Sequence, residues 1–259
     1  FQHHLPDEEM LPDVYKSKNF KSSLYSFLKK YSLKISDHYE LKKFCKKKKI
    51  KYLCTPFSAK AAEELNEMGV PAFKIGSGEF SDLPFIEKVC SFGKPVILST
   101  GMSNSKDIQE VTLFLKKFKN KFALMNCTSE YPPVFKDINI GFIDILKKKY
   151  PNFVIGHSDH TNSIYTSIAA VARGAKIIEK HAYLDGKNFG PDRDVSINFK
   201  QFKEMVTAIR NIEVSLGNKK KIYKKEEEIV KWAKRSLVSI KDLKAGDKIK
   251  VGDIWSKRP

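Results

Sequence analysis

Long apolar runs are missing from this 259-residue chain, and none approaches the roughly 18 residues that a membrane span needs. The first residues do not read as a signal peptide. Cysteine is scarce, and Cys45, Cys54, Cys90 and Cys127 show neither metal-binding nor redox spacing. Cys54 and Cys127 lie in apolar segments, so all four read as reduced thiols and a cytoplasmic protein is expected. Acidic residues are in deficit, 30 against 48 basic ones, for a formal net charge of +18. Arginine adds little to that excess. It is nearly all lysine, scattered over helix faces as at Lys42, Lys43, Lys46–Lys49 and Lys147–Lys149. A nucleic-acid surface would interleave arginine and aromatics, so a basic binding protein for nucleic acid or anionic glycans is disfavoured. The same field still speeds the arrival of an anionic substrate. With 41% hydrophobic and 12% aromatic residues the composition is globular, not disordered.

Six short apolar runs are present: Lys51–Thr55, Ala72–Gly76, Pro95–Thr100, Phe122–Cys127, Phe153–His157 and Ala175–His181. Nearly every one ends in a residue able to do chemistry. The intervals hold one helix and two loops each, the rhythm of parallel βα units, and a (β/α)8 barrel builds its active site at the C-terminal strand ends. Expected helices are Ser36–Lys49 with a Tyr39, Leu41 and Phe44 stripe, Ala59–Met68 capped by Ser58, Leu83–Ser91 after Asp82, and Lys106–Phe118 capped within Ser103–Ser105. Ile138–Lys149, Ser163–Arg173 and Asn198–Ser215 follow the same logic. Gly69, Gly93 and Gly174 sit where left-handed C-caps belong.

Asp7 to Asn19 reads as a polar loop following a strand, with His3 and His4 in a loop after Gln2. Six units rather than eight imply that roughly 60 residues of barrel precede Phe1, making the chain a fragment. After Gly217 the character changes. Residues 1–217 form the barrel domain, 218–234 a charged linker ending in a short helix from Val230 to Lys234, and 235–259 the beginning of a small, truncated β domain.

Gly76-Ser77-Gly78 after Lys74 suits an anion, as do Ser99-Thr100-Gly101 and Thr55-Pro56-Phe57-Ser58 in neighbouring units. Hydroxyls at helix starts also serve as caps, as Ser58 does. That does not account for Lys74, whose charge inside a strand is costly without an anion to meet it. His157-Ser158-Asp159-His160 and Glu179-Lys180-His181 close the last two runs. His160 and His181 would face each other across adjacent strand ends, an imidazole pair suited to a divalent transition metal. His157 alternates away and reads as packing. Glu79 is a candidate general base or sugar ligand, Asp192 in the Gly190-Pro191-Asp192 turn a sugar or proton ligand, and Tyr131 a pocket wall or a rim aromatic.

Cys54-Thr-Pro-Phe-Ser58, Lys74-Ile-Gly-Ser-Gly-Glu79, Leu98-Ser-Thr-Gly-Met102, Cys127-Thr-Ser-Glu-Tyr-Pro132, Gly156-His-Ser-Asp-His160, Glu179-Lys-His181 and Gly190-Pro-Asp192, in this order, resemble the sialic acid synthases and the wider nonulosonic acid synthase group. The resemblance runs from Phe1 to Pro259. It implies a (β/α)8 barrel followed by an antifreeze-like (SAF) domain, to which Arg235-Ser-Leu237 and Ile254-Trp-Ser-Lys-Arg-Pro259 would belong. It implies condensation of phosphoenolpyruvate with the open-chain aldehyde of an N-acetylmannosamine-type sugar, giving a nine-carbon keto-acid and phosphate.

By motif, His160 and His181 would hold a divalent ion, manganese first, with magnesium or cobalt as alternatives. Thr55, Lys74, Ser77, Ser99, Ser129 and Ser158 would hold phosphoenolpyruvate. Gln2, Glu79, Tyr131 and Asp192 would contact the sugar or manage the water, with Glu79, His160 and His181 as the catalytic set. A homodimer is implied, the small domain of one subunit reaching over the partner's barrel and supplying an arginine. With that arginine and the first strand's glutamate outside these residues, the piece alone is expected to be nearly inactive. Ser129 stands where neuraminate-making members commonly carry Asn, and Tyr183-Leu-Asp-Gly186 looks more like legionaminate-type or spore-coat-type members.

Three other readings compete. One is a condensation of the kind that makes eight-carbon keto-sugars or shikimate precursors. Another is a Schiff-base aldolase on Lys74 or Lys180. The third is the basic binding protein already disfavoured by its lysine distribution.

Overall fold

The computed structural model describes residues 1–11, 23–186 and 190–259. The chain divides into two compact units, Phe1–Leu216 and Gly217–Pro259. In the first, β1 (Gln2–His3), α1 (Pro6–Glu9), α2 (Leu24–Tyr31) and α3 (Ile35–Lys47) precede a regular alternation. That alternation runs β2 (Thr55–Pro56), α4 (Ala59–Glu67), β3 (Phe73–Ile75), α5 (Leu83–Ser91), β4 (Val96–Ser99), α6 (Ser105–Leu115) and β5 (Phe122–Cys127). It continues through α7 (Phe142–Lys149), β6 (Val154–Asp159), α8 (Tyr165–Ala172) and β7 (Ile177–Lys180). Then come β8 (Ala182–Tyr183), β9 (Ile197–Asn198) and α9 (Phe199–Ser215).

Strands β3 to β7 form one parallel sheet in sequential order, so every C-terminal strand end lies along the same edge. Parallel pairs β1–β2 and β8–β9 flank it in the chain, and β2 lies beside β3. Strand β5 is buried on both faces along nearly its whole length, as a sheet covered by βα crossovers requires. The core gathers Phe73, Ile75, Val96, Leu98, Leu124 and Ile155 from the strands, with Leu65, Ile86 and Leu146 from the helices. A second cluster joins Val171 and Ile197 to Met205 and Ile209 of α9.

Local chemistry sets the boundaries. Ser58 accepts from the Ala61 amide at 3.1 Å and Asp82 from the Phe85 amide at 3.1 Å, side-chain caps each worth about 1 kcal/mol. Gly69, Gly93 and Gly174 hold φ of 75°, 70° and 96°, conformations that L side chains avoid. Gly156 is needed for another reason: a Cβ there would overlap Met125 Sδ and come within 2.7 Å of the Ile177 carbonyl on the next strand.

Several elements differ from the sequence expectation. Gln2–His3 is a strand, not a loop, because its backbone pairs with Thr55–Pro56. Of the first expected run, Lys51–Thr55, only Thr55 is in the strand, which spans Thr55–Pro56. Asp7 to Glu9 are helical in α1, and residues 12–19 of the expected loop lie outside those described. In α3 the buried residue is His38, while Tyr39 and Phe44 are exposed; only Leu41 of the expected stripe packs on the core. His38 is held inside by the Tyr52 hydroxyl at 2.6 Å. Asn104 caps α6 through the amides of Lys106 and Asp107, and the helix stops at Leu115, short of Phe118. Asn139 adopts φ of 48°, which delays α7 to Phe142 behind a 3-10 turn at Phe135–Asp137. Helix α8 likewise starts at Tyr165, two residues after Ser163.

In the second unit, the expected connector is helical: α10 spans Lys224–Ala233, with Glu226 bonding back to the Tyr223 amide at 2.7 Å. Strands β10 (Ser236–Ser239) and β11 (Ile254–Lys257) pair antiparallel. No apolar side chain of this unit is fully buried among the described residues, and Trp232, Leu237 and Trp255 stand in solvent.

Candidate active site

A cavity of about 710 Å³ opens at the C-terminal strand ends of the first unit. Thr55, Lys74, Ser77, Ser99, Ser129 and Ser158 line it, each delivered by the end of β2, β3, β4, β5 or β6 or the residues just beyond. Gln2, Glu79, Tyr131, Asp192, His160 and His181 line the same cavity. All the site residues expected from the sequence therefore meet in one place.

Gly101 permits part of that convergence. A Cβ there would overlap Ser129 Oγ and lie 2.6 Å from Ser77 Oγ, while its own amide donates to Ser77 Oγ at 3.2 Å. Gly76 does the same for Glu79, whose Oε2 would stand 2.6 Å from an added Cβ. Burial pushes the Glu79 carboxyl above its ordinary range, against weaker opposing pulls from a backbone donor, His4 and Lys74.

The charge of Lys74 is met inside the protein. Its ammonium lies 3.2 Å from Glu179 Oε2, so burial of this lysine does not by itself demand a ligand. Burial raises the Glu179 carboxyl, but Lys74 and Ser158 outweigh it and hold the group below its ordinary range. What does point to a ligand is a pair of buried oxygens without a hydrogen-bond partner: Ser99 Oγ and Glu79 Oε2 both belong to cavity residues.

His160 and His181 face one another with ring centroids 5.3 Å apart. His160 Nδ1 donates to the Thr128 carbonyl at 2.7 Å, which leaves Nε2 as the lone-pair nitrogen, and the Tyr131 hydroxyl reaches it at 3.1 Å. The Tyr131 ring stacks on His160 at 4.4 Å, so this tyrosine is both rim aromatic and cavity wall. Burial disfavours protonation of His160, yet the Cys127 sulfur and the Thr128 carbonyl outweigh it and the shift is upward. At His181 burial wins over the attraction of Asp192, 3.6 Å from Nδ1, and favours the neutral ring. Two imidazoles, one of them oriented by a carbonyl, fit a divalent metal that takes its other ligands from substrate and water. Among the described residues no group of three His, Cys, Asp or Glu is arranged to hold a metal by itself.

His157 is packing, as its alternation implies: it is buried and its Nδ1 donates to the Asn126 carbonyl at 2.9 Å. Lys180 turns away from the cavity, paired with Asp159 at 3.2 Å, which removes it as a Schiff-base nucleophile. The sequence reading missed Glu179 as a site residue, although it adjoins His181. It also missed Cys127, His4, Glu9 and Phe57, and the lining from α1 and α2. The signal for α2 was present. Ser23 accepts from the Ser26 amide as an N-cap, and Leu24, Phe27 and Leu28 keep helical spacing.

The NeuB family model matches residues 1–221. The chain belongs to the NeuB family. This NeuB-family protein is 41% identical over 244 residues to an uncharacterized protein of Methanocaldococcus jannaschii, covering 92% of this chain and 71% of that one. It is 38% identical over 241 residues to the N,N'-diacetyllegionaminic acid synthase of Campylobacter jejuni, with 92% and 72% covered. Its fold matches the structure of an N-acetylneuraminic acid (sialic acid) synthetase from Leptospira borgpetersenii with a TM-score of 0.77 at 31% identity, across 89% of this chain and 78% of that one. No helix of the NeuB-family chain is long and apolar enough to cross a membrane, among the described residues.

Proposed function

We propose that this protein condenses phosphoenolpyruvate with the open-chain aldehyde of an N-acetylmannosamine-type sugar, releasing phosphate and a nine-carbon nonulosonic acid. The observation that carries the reading is the meeting, in one cavity, of Lys74, a ring of hydroxyls, two facing imidazoles and buried oxygens without partners. Membership of a family whose relatives are named as synthases of such acids supports it.

In this reading Lys74 and the hydroxyls of Thr55, Ser77, Ser99, Ser129 and Ser158 bind the phosphate and carboxylate of phosphoenolpyruvate. Gln2, Tyr131 and Asp192 orient the sugar. His160 and His181 would hold a divalent ion, manganese first, which supplies Lewis-acid polarisation of the aldehyde oxygen. The phosphoenolpyruvate C3 bonds to the aldehyde carbon, and the cationic C2 so formed takes up water. Glu79, with its raised carboxyl, accepts a proton from that water before the tetrahedral centre expels phosphate. No imine forms on Lys74 in this reading, so borohydride with pyruvate should trap nothing.

The β1–β9 alternation fits part of a (β/α)8 barrel, and Gly217–Pro259 an antifreeze-like (SAF) domain. A cytoplasmic homodimer with that domain over the partner's barrel completes the reading. The test is phosphate release by the full-length polypeptide with phosphoenolpyruvate, Mn²⁺ and a panel of N-acylated aminosugars. Sugar-dependent release lost in His181→Ala supports the reading; no release with any sugar from folded, metal-loaded protein overturns it.

A further inference from the structure

His4 and Glu9 line the cavity, yet the reaction proposed above gives them nothing to do. Alternation along β1 and the residue after it puts Gln2 and His4 on the cavity side. His3, between them, takes the other face, where it is buried and meets Glu64 at 2.7 Å. Helix α1 then brings Glu9 back beside His4. The Glu9 side chain is 4% exposed and the His4 side chain 13%, so the pair is built into the wall and is not a surface contact.

The His4 ring is held on two sides. Glu9 Oε2 lies 2.8 Å from Nδ1, while Glu9 Oε1 accepts from the Leu5 amide. A carboxylate only accepts, so Nδ1 carries a hydrogen. Phe57 stacks on the ring, with centroids 4.1 Å apart and an interplanar angle of 18°, which fixes its plane. That leaves Nε2, 3.4 Å from the Gln2 amide oxygen. An oxygen there needs a hydrogen to accept, so the geometry is that of an imidazolium donating at both nitrogens, its charge met by Glu9. With the Gln2 oxygen turned to His4, the amide NH2 is the end left for the cavity.

We propose that His4, held by Glu9, is a positioning residue: it fixes which end of the Gln2 amide a bound sugar meets, and that end is the donor. This rests on the condensing function and on the sugar contact of Gln2 proposed above. Without the Nε2 hydrogen, the amide is free to turn over. It then offers an acceptor in part of the molecules, and binding has to order it at an entropic cost. His4 touches no reacting atom in this scheme, so its loss falls on sugar binding and not on the chemical step.

The experiment is steady-state phosphate release by the full-length polypeptide with Mn²⁺ and phosphoenolpyruvate. The sugar is whichever of N-acetylmannosamine and 2,4-diacetamido-2,4,6-trideoxymannose the wild type turns over faster. His4→Leu should raise KM for the sugar about fivefold or more, with kcat and KM for phosphoenolpyruvate within about twofold of wild type. His4→Gln, whose amide nitrogen stands near the place of Nε2, should recover most of that loss. Glu9→Gln should raise KM for the sugar in the same sense, because the imidazolium loses its counter-charge. A double-mutant cycle tests the route: in a Gln2→Ala background, His4→Leu should add less than about twofold. Additive losses, or a fall in kcat with KM for the sugar unchanged, overturn the inference and leave the condensing function standing. So does Gln2→Ala without effect on KM for the sugar, or a folded His4→Gln no better than His4→Leu. Where His4→Leu does not fold, the cycle is run with Glu9→Gln, and additive losses there overturn the inference equally. No release by the wild type with either sugar overturns the condensing function itself, and the inference with it.

Discussion

Two lysine–carboxylate pairs share strand β7, through its adjacent residues Glu179 and Lys180. One pair reaches across to β6 and the other to β3 at the far end of the sheet, and they differ in ways that matter for function. Lys180 and Asp159 are paired at 3.2 Å with both side chains 1% exposed. Asp159 also accepts from Thr161, Thr166 and Ser167, at distances from 2.6 to 2.9 Å. Lys180 also donates to Thr161. Lys74 and Glu179 are separated by the same 3.2 Å, but the glutamate side chain is 42% exposed and lines the cavity. The first pair is saturated and has nothing left to offer a ligand. The second keeps unused capacity and faces a cavity. A buried charge that is fully bonded serves the fold, and one that is only partly bonded marks the site.

The sharpest break is Lys180→Met. It strands the Asp159 carboxylate in a dry pocket and should cost about 3–5 kcal/mol, read from chemical unfolding. Lys74→Met should cost stability only about 1 kcal/mol, because Glu179 can turn to the cavity water. It should nonetheless lower sugar-dependent phosphate release by about 100-fold or more. Should the two variants exchange their effects, so that Lys180→Met remains stable and Lys74→Met unfolds, the contrast fails.

Gly101→Ala tests the geometry of the hydroxyl cluster. Pushing Ser77 and Ser129 apart should cost about 1–3 kcal/mol and lower activity with it. Gly141→Ala, where an added Cβ meets nothing within 4 Å, should change stability by no more than about 0.5 kcal/mol. Equal effects at the two glycines would count against close packing at the cavity.

The smallest effect is a pH slope. Burial raises the Glu79 carboxyl, so the folded state binds this proton more tightly than the unfolded one. Stability therefore falls as pH rises from about 4.5 through the raised folded value, then levels off. Glu79→Gln should remove that component, so its melting temperature gains on the wild type at pH 8 and not at pH 4. Asp159 behaves in the opposite sense. Burial works against its ionisation, but Lys180 and the hydroxyl donors hold it below 3.8, so its stabilising share is present above that pH and lost in stronger acid. A wild type and a Glu79→Gln variant with parallel melting profiles would remove Glu79 from the set of strained, buried site carboxylates.

Much of this was readable from residue order. The strand ends were legible because five of the six runs stop at a glycine, a hydroxyl or a histidine and the other at Cys127 just before Thr128, and three glycines at helix ends announced the positive φ they adopt. The convergence of Thr55, Lys74, Ser77, Ser99, Ser129 and Ser158 follows from parallel strands, whose C-terminal ends share one edge. Less legible were the short elements. Strand β1 is two residues held by β2, and the burial of His38 rather than Tyr39 depends on a hydroxyl fourteen residues away. Helix α2 carries its own cap and stripe, but no local rule says that an apolar stripe will line a cavity instead of joining a core.

The sequence by itself determined which residues stand at the strand ends and, through glycine and capping chemistry, where most helices begin and stop. Only the tertiary structure decided which member of each neighbouring pair faces the cavity. In a strand, successive side chains point to opposite faces, so Glu179 and Lys180 must diverge, as must Ser158 and Asp159. The register that sets Ser158 beside Glu179 and Asp159 beside Lys180 assigns one couple to the cavity and the other to the buried network. That register comes from the packing of the whole sheet against its helices, a sum of long-range contacts that no local window of residues contains.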